Sequence, residues 1–389
     1  MTEGLQQVIA EEIRARGPLP FAWFMERCLY HPRYGYYTSG KGRRGKGGDY
    51  YTSPTVHPIF GALIARQITQ MWQIMGEGAF TIVEMGGGEG YLCRDILGSV
   101  QRETPHFYEA LRYYMVERAL AVIERQKDML RPHAGKVSWY LPSEMEGMKI
   151  TGCFLSNELV DSFPVHRVVM TGEGLREIYV DLEEGELKGV QGALSTPELA
   201  AYFQRLGITL AEGQQAEVNL EALRWLAAVA KALAQGFVMT IDYGYRAEEL
   251  YSPLRRDGTL MCYQGHRALT DPYRNPGMQD MTAHVDFTSL IVCGEGLGIA
   301  LTGLVPQYRF LLALGILEQA AQQGLGEDED NGKGNSEALN ERLTIKHLIL
   351  PGGLGAQFQC LIQHKGVYSP QLDGLTGGES WSARRSSAR

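Results

Sequence analysis

Residues Thr81–Tyr91 read TIVEMGGGEGY, and this order of residue types decides the fold. Thr81-Ile82-Val83 form a β-branched apolar run of the kind that fills a strand buried on both faces. The run meets an acid, Glu84, then glycines at 86, 87, 88 and 90, and a helix is expected from Tyr91. Glycine permits tight turns and a close approach to ligand that a Cβ would block, so strand, glycine turn and helix together point to a nucleotide-type cofactor site. An ordinary glycine turn is the competing reading.

Spacing separates the cofactor classes. The dinucleotide fingerprint G-x-G-x-x-G, counted from Gly86 and Gly88, requires glycine where Tyr91 stands. The pattern present is E-x-G-x-G-x-G, which resembles motif I of Rossmann-like S-adenosylmethionine methyltransferases, with the acid under the glycine loop. A nicotinamide oxidoreductase is disfavoured by the same count. Leu111–Glu117, LRYYMVE, is a second apolar strand ending in a carboxylate. A strand-terminal acid in the second βα unit is where ribose hydroxyls are read, and a solvated helix cap is the other role open to Glu117.

The chain has 389 residues, more than one typical domain, so a core with a large insertion or an appended lobe is expected. Its 44% hydrophobic and 21% charged residues are ordinary for a globular protein. A net charge of −8 argues against general nucleic-acid binding. No apolar run reaches the ~18 residues of a membrane span. The N-terminus MTEGLQQVIAEEIRARG lacks a signal-peptide core and the Ser/Arg bias of an organellar leader, so a cytoplasmic protein is expected. The six cysteines contain no C-x-x-C, which suggests neither a zinc knuckle nor a disulfide framework. Oligomeric state is left open, a homodimer included.

The organisation follows from periodicity. Helices are expected over 3–16 and 21–30, followed by the Tyr- and Gly-rich segment 31–53, whose basic stretch 41–46 suits either a solvated loop or a lid. Pro58 starts an amphipathic helix through Trp72. Strands at 80–84, 111–117, 137–141 and 151–156, with helices 90–98 and 119–130 among them, predict a parallel sheet covered on both faces. Residues 165–218 carry short alternating stretches and read as a mostly β insertion. The core resumes with helix 219–235, strand 237–242, strand 298–305, helices 307–320 and 336–348, and strand 357–363. The expected divisions are therefore 1–75, 76–164, the inserted lobe 165–218, 219–368, and an unstructured tail 369–389.

Open α/β sheets bind ligands beyond the carboxyl ends of their strands. The fourth strand ends in Ser156-Asn157-Glu158-Leu159-Val160-Asp161. Glu158 and Asp161 could clamp a cationic group, since a carboxylate accepts paired bonds from a guanidinium; a helix cap at Asn157 with first-turn acids is the plainer alternative. Residues 258–287 carry His266, Arg267, Asp271, Asp280, His284 and Asp286 with little expected secondary structure and no metal-ligand spacing, so no metal is expected. Asp286 looks like a helix N-cap.

Taken together, Tyr34-Gly35-Tyr36-Tyr37, Gly48-Asp49-Tyr50-Tyr51-Thr52-Ser53-Pro54, Phe60-Gly61, VEMGGGEGYLCRDIL, SNELVDSFPVHRV, IDYGY, GTLMCYQGH, the run Asp280–Phe287 and Pro351-Gly352-Gly353-Leu354-Gly355 resemble the MidA-like S-adenosylmethionine-dependent methyltransferases. That family includes a mitochondrial complex I assembly factor that methylates a protein arginine. The resemblance implies an α/β, Rossmann-like, seven-stranded methyltransferase core with an N-terminal helical segment and an inserted lobe. It implies S-adenosylmethionine as methyl donor, S-adenosylhomocysteine as product and a protein arginine as acceptor. Carried onto this chain, Glu84, Gly86, Gly88, Gly90 and Glu117 hold the cofactor, and Thr52, Ser53 and Pro54 close over it. Glu158, Asp161 and Asn157 serve the transfer itself. Arg118-Ala119, Gln264, Leu354 and the stretch 304–310 depart from the family's usual residues, the last leaving the target open. A small-molecule acceptor, or an assembly factor that binds the cofactor without turnover, also fits the sequence.

Overall fold

The computed structural model describes residues 3–39, 57–265, 267–322, 343, 345, 346, 348, 349 and 357–376. Thr52, Ser53, Pro54, the basic stretch 41–46 and most of the predicted helix 336–348 lie outside the described residues. The chain divides into two compact units. The first comprises Tyr51–Glu158, Ala228–Tyr243 and Leu297–Arg389; the second comprises Met1–Tyr50, Leu159–Ala227 and Gly244–Gly296.

The first unit is built on strands β1 (Phe80–Met85), β2 (Leu111–Val116), β3 (Val137–Tyr140), β4 (Ile150–Asn157), β5 (Leu233–Tyr245), β6 (Ala300–Pro306) and β7 (Phe358–Lys365). Their order across the sheet is β6-β7-β5-β4-β1-β2-β3. The first five run parallel, and β7 lies antiparallel between β5 and β6. The last two residues of this strand, Gly244 and Tyr245, already belong to the second unit and pair there with Val285 and Asp286.

Parallel strands need crossover helices on both faces, which is why β1 reads as a continuous apolar run rather than an alternating one. Phe80, Ile82, Phe107, Tyr113, Leu155 and Met239 are buried with Ile96 and Leu97 of helix Tyr91–Glu103 in one core. Trp72 of helix Ile59–Ile74 stacks on Phe107 at 4.7 Å between ring centroids. Each fully buried side chain of this size contributes roughly 2 kcal/mol.

Two expectations change in this unit. The single helix foreseen over 307–320 is two, Gln307–Ala313 and Ile316–Gln322, because Gly315 takes φ 86° and ends the first turn of chain. Within the tail foreseen as unstructured from 369, residues 369–376 are held in place. Leu372 is buried, and the backbone N–H groups of Asp373 and Gly374 donate to Gln70 and Gln67 on helix Ile59–Ile74. One buried leucine and two side-chain acceptors fasten a stretch whose composition alone gives no element.

The second unit holds a five-stranded antiparallel sheet of Leu19–Pro20, Gly174–Glu183, His166–Thr171, Gln215–Val218 and Glu186–Gly192. The helices Glu3–Arg16 and Phe21–Tyr30 bury Leu5, Ile9, Ile13, Phe21 and Phe24 in a core shared with Val165, Val180, Leu187, Cys262 and Met281. This unit is thus larger than the 165–218 lobe drawn from sequence, because the N-terminal helices and residues 244–296 supply its other apolar faces. The 258–287 stretch is also more regular than expected: Met261–Gln264, Arg267–Leu269 and Asp280–Thr282 form a three-stranded sheet. Strands of three or four residues are too short to show a period of two in sequence, so only their pairing reveals them. Asp286 accepts the backbone N–H of Ser289 at 3.1 Å at the start of helix Phe287–Gly296, as an N-cap does.

Candidate functional site

β1 stops at Met85, and the chain turns through Gly86–Gly90 into helix Tyr91–Glu103. Gly86, Gly88 and Gly90 take φ of 70°, 54° and 89°, the left-handed region that side chains with a Cβ avoid. Gly87 is needed for space instead, since a Cβ there would stand 2.5 Å from Cε of Met115 and 3.0 Å from Cδ of Glu84. The turn is tied at both ends, with the Gly86 N–H donating to the Val116 carbonyl at 3.1 Å and the Gly90 N–H donating to the Gly87 carbonyl at 3.0 Å.

A side chain absent from the sequence argument fixes its middle. Gln126, fully buried on helix Leu120–Met129, donates Nε2 to the Gly88 carbonyl at 2.7 Å and accepts Nε1–H of Trp139 at 3.0 Å. Arg125, its neighbour, clamps Glu89 with Nε and Nη2 at 2.9 Å each, a two-pronged geometry that orients as well as attracts.

Glu84 lies under this loop, 1% exposed, with Oε2 accepting the Tyr113 hydroxyl at 2.7 Å. Burial pushes its carboxyl up to about 7, against the opposing effect of the Tyr113 bond. Tyr113 could have been suspected from its inward place in LRYYMV, whereas nothing local marks Gln126. Glu117 follows β2 and is half-buried; its Oε1 accepts the backbone N–H groups of Arg118 and Ala119 at 2.7 and 3.0 Å. The turn into helix Leu120–Met129 is thereby shaped by the carboxylate at the strand end.

β4 pairs with β1 in a register that sets Ser156 opposite Met85, so its tip emerges at the same carboxyl-end edge as the glycine turn. Ser156, Asn157 and Glu158 are 1%, 8% and 5% exposed. Glu158 takes φ 51°, an uncommon conformation for a residue with a Cβ, and its N–H donates to the Ile241 carbonyl at 2.9 Å. Asn157 Nδ2 donates to Glu158 Oε1 at 3.1 Å. Among the described residues, Ser156 Oγ and Asn157 Oδ1 are buried with no hydrogen-bond partner. A buried polar atom left so costs about 1–3 kcal/mol, and backbone strain of this kind gathers at functional sites.

Asp161 belongs to the second unit. It is 4% exposed in the short turn Val160–Ser162, and its carbonyl accepts the Ala283 N–H at 2.9 Å.

Comparison with known proteins identifies this architecture. The model of a family described as S-adenosyl-L-methionine-dependent methyltransferase matches residues 63–305. The chain is 30% identical to mouse "Protein arginine methyltransferase NDUFAF7, mitochondrial", covering 78% of this chain and 72% of that one. It is 26% identical to the Drosophila melanogaster homologue of that protein, over 94% and 86% of the two chains. The crystal structure of a Burkholderia thailandensis protein bound to S-adenosyl-homocysteine is similar over 98% of this chain and 97% of that one, with 29% identity and a TM-score of 0.85.

The cytoplasmic expectation is corrected by these relatives, which are named as mitochondrial proteins. It rested on the N-terminal segment, which here is a structural helix burying Leu5, Ile9 and Ile13, so packing sets its composition. No helix among the described residues is long and apolar enough to cross a membrane.

The residues present fit the family's cofactor. The turn offers backbone without side chains, and two unsatisfied buried acceptors or donors stand at the neighbouring strand tip. The α/β fold with its seven-stranded order, and the family model spanning most of the core, agree: the chain belongs to the S-adenosyl-L-methionine-dependent methyltransferase family.

Proposed function

We propose that this enzyme methylates a guanidinium nitrogen of an arginine in a protein substrate. The observation that carries the reading is the β4 tip, where Glu158 is held on left-handed backbone, buried, with Asn157 donating to its carboxylate, on the strand next to the glycine turn. The relatives named protein arginine methyltransferase support the same acceptor.

When bound, S-adenosylmethionine supplies an electrophilic methyl on a sulfonium. The turn Gly86–Gly90, held by Gln126 and lying over Glu84, would receive it by backbone, and Glu117 would bind the ribose hydroxyls. Guanidinium is protonated at neutral pH, and its nitrogen must shed a proton to become the nucleophile. Glu158 orients the planar fork and accepts that proton, with Asn157 fixing the carboxylate. Positioning of this sort supplies much of the acceleration in group transfer.

The test is transfer of tritiated methyl from S-adenosylmethionine into proteins of a source-organism lysate lacking this protein, with wild type and Glu158→Ala. A band labelled by wild type alone, with label recovered on arginine after hydrolysis, supports the reading. Cofactor binding without any labelled protein overturns it and moves weight to a small-molecule acceptor or a non-catalytic assembly role.

A further inference from the structure

Of the five residues in the turn Gly86–Gly90, Glu89 alone carries a side chain. Glycine loses more conformational freedom on ordering than any other residue, so such a turn keeps one shape only where something outside it holds it. Two consecutive residues of helix Leu120–Met129 do so. Gln126 donates to the Gly88 carbonyl, and Arg125 donates to the Glu89 carboxylate.

The two contacts differ in kind. Successive residues of a helix point about 100° apart, and here Gln126 faces inward, fully buried, while Arg125 is exposed. The Arg125 side chain is 42% exposed and that of Glu89 23%. All three nitrogens of the guanidinium are engaged. Nε lies 2.9 Å from Oε2 and Nη2 2.9 Å from Oε1 of Glu89, and Nη1 donates to the Ala121 carbonyl at 3.2 Å. The bond from Glu89 pushes the Arg125 pKa up against burial, and the charges of Glu89 and Glu117 add to the rise. The same guanidinium therefore stands within electrostatic reach of the acid that follows β2. An amide bond inside the core is indifferent to salt, whereas an ion pair open to solvent is screened by it.

We propose that Arg125 and Glu89 are positioning residues for the cofactor: their ion pair is the releasable half of a two-point hold on the glycine turn, and it sets how long the cofactor stays bound. The inference rests on the reading of that turn as the cofactor seat. Neither residue acts by touching the cofactor. Breaking the pair frees the one side chain of the turn while Gln126 keeps the Gly88 carbonyl, so the turn loosens beside its helix and the fold persists.

The experiment is surface plasmon resonance of S-adenosylhomocysteine over the immobilised full chain, which reads association and dissociation rates separately. It compares wild type with Arg125→Gln, Glu89→Gln, the two together, and the reversed pair Arg125→Glu with Glu89→Arg. Each single glutamine variant should dissociate about three- to five-fold faster, with association nearly unchanged. The double glutamine variant should be no faster than either single, because one interaction is lost only once. The reversed pair should dissociate more slowly than either single. Raising NaCl from about 0.05 M to about 0.5 M should speed dissociation from wild type toward the variants' rate and leave the variants unmoved, a response that packing alone would not give. Wild-type dissociation in both singles overturns the inference. So does faster dissociation in Glu89→Gln alone, which would mark direct contact between that carboxylate and the cofactor. Gly88→Val is the reference for the seat itself. Loss of S-adenosylhomocysteine in Gly88→Val with wild-type rates in the Arg125 and Glu89 variants overturns the ion-pair hold and keeps the seat. Wild-type binding by a folded Gly88→Val overturns the seat, and the hold with it.

Discussion

Gln126, on helix Leu120–Met129, donates to the carbonyl of Gly88 at 2.7 Å. One amide therefore joins the glycine turn to β3, because its oxygen takes the Trp139 indole N–H. Gln126→Ala would leave a buried carbonyl and a buried indole donor without partners, a loss of roughly 1–3 kcal/mol for each group. The expected result is a lower urea midpoint and weaker S-adenosylmethionine binding by calorimetry. Cofactor affinity equal to wild type would show that the turn keeps its shape without this contact.

Gly88→Val places a β-branched side chain at φ 54°, where even simpler residues are strained. The turn must move to relieve it, and S-adenosylmethionine binding should be lost. Retained affinity in a folded variant would mean that the cofactor does not depend on this backbone conformation.

Glu84 makes stability depend on pH in an unusual direction. Its carboxyl titrates at about 7 in the fold against an ordinary 4.5. Between these values the folded chain holds a proton that the unfolded chain has released, so stability falls as pH rises through this window and levels off above it. The fall amounts to something on the order of 3 kcal/mol, at about 1.4 kcal/mol per pKa unit. Glu84→Gln keeps an acceptor for Tyr113 and should flatten the profile. Urea unfolding of the cofactor-free protein at about pH 5 and about pH 8 measures it; an equal slope in both proteins would place the titration elsewhere.

Glu158 separates strain from chemistry. Both Glu158→Ala and Glu158→Gly should abolish methyl transfer and leave S-adenosylmethionine affinity nearly intact. The glycine variant should be the more stable of the two by about 1 kcal/mol, because only glycine occupies φ 51° without penalty. Turnover surviving in either variant contradicts the proposed role, and equal stability contradicts the strain.

Much of the first unit was legible before any coordinates. Apolar runs ending in Glu84 and Glu117, the glycines after Met85 and the polar cluster after Ser156 are local patterns, and a parallel sheet with its ligand edge follows from their spacing. What remained hidden depends on partners distant in sequence. Gln126 on a helix and Tyr113 inside a strand acquire meaning only when the fold sets them against Gly88 and Glu84. The left-handed turn at Glu158 has no residue signal, since glutamate does not favour it; packing imposes it.

The same physics divides the two units. Helices Glu3–Arg16 and Phe21–Tyr30 show an apolar face in sequence, but a face does not name what covers it. Their burial beside Val180 and Met281, and the pairing of three-residue strands that places Tyr263 across from Asp280, were decided by non-local contacts alone. In the first unit, sequence determined which segments would be the parallel strands and the glycine turn, because those are set by residues a few positions apart. Tertiary structure decided which buried polar groups meet, because hydrogen bonds and packing between distant segments exist only once the chain has closed on itself.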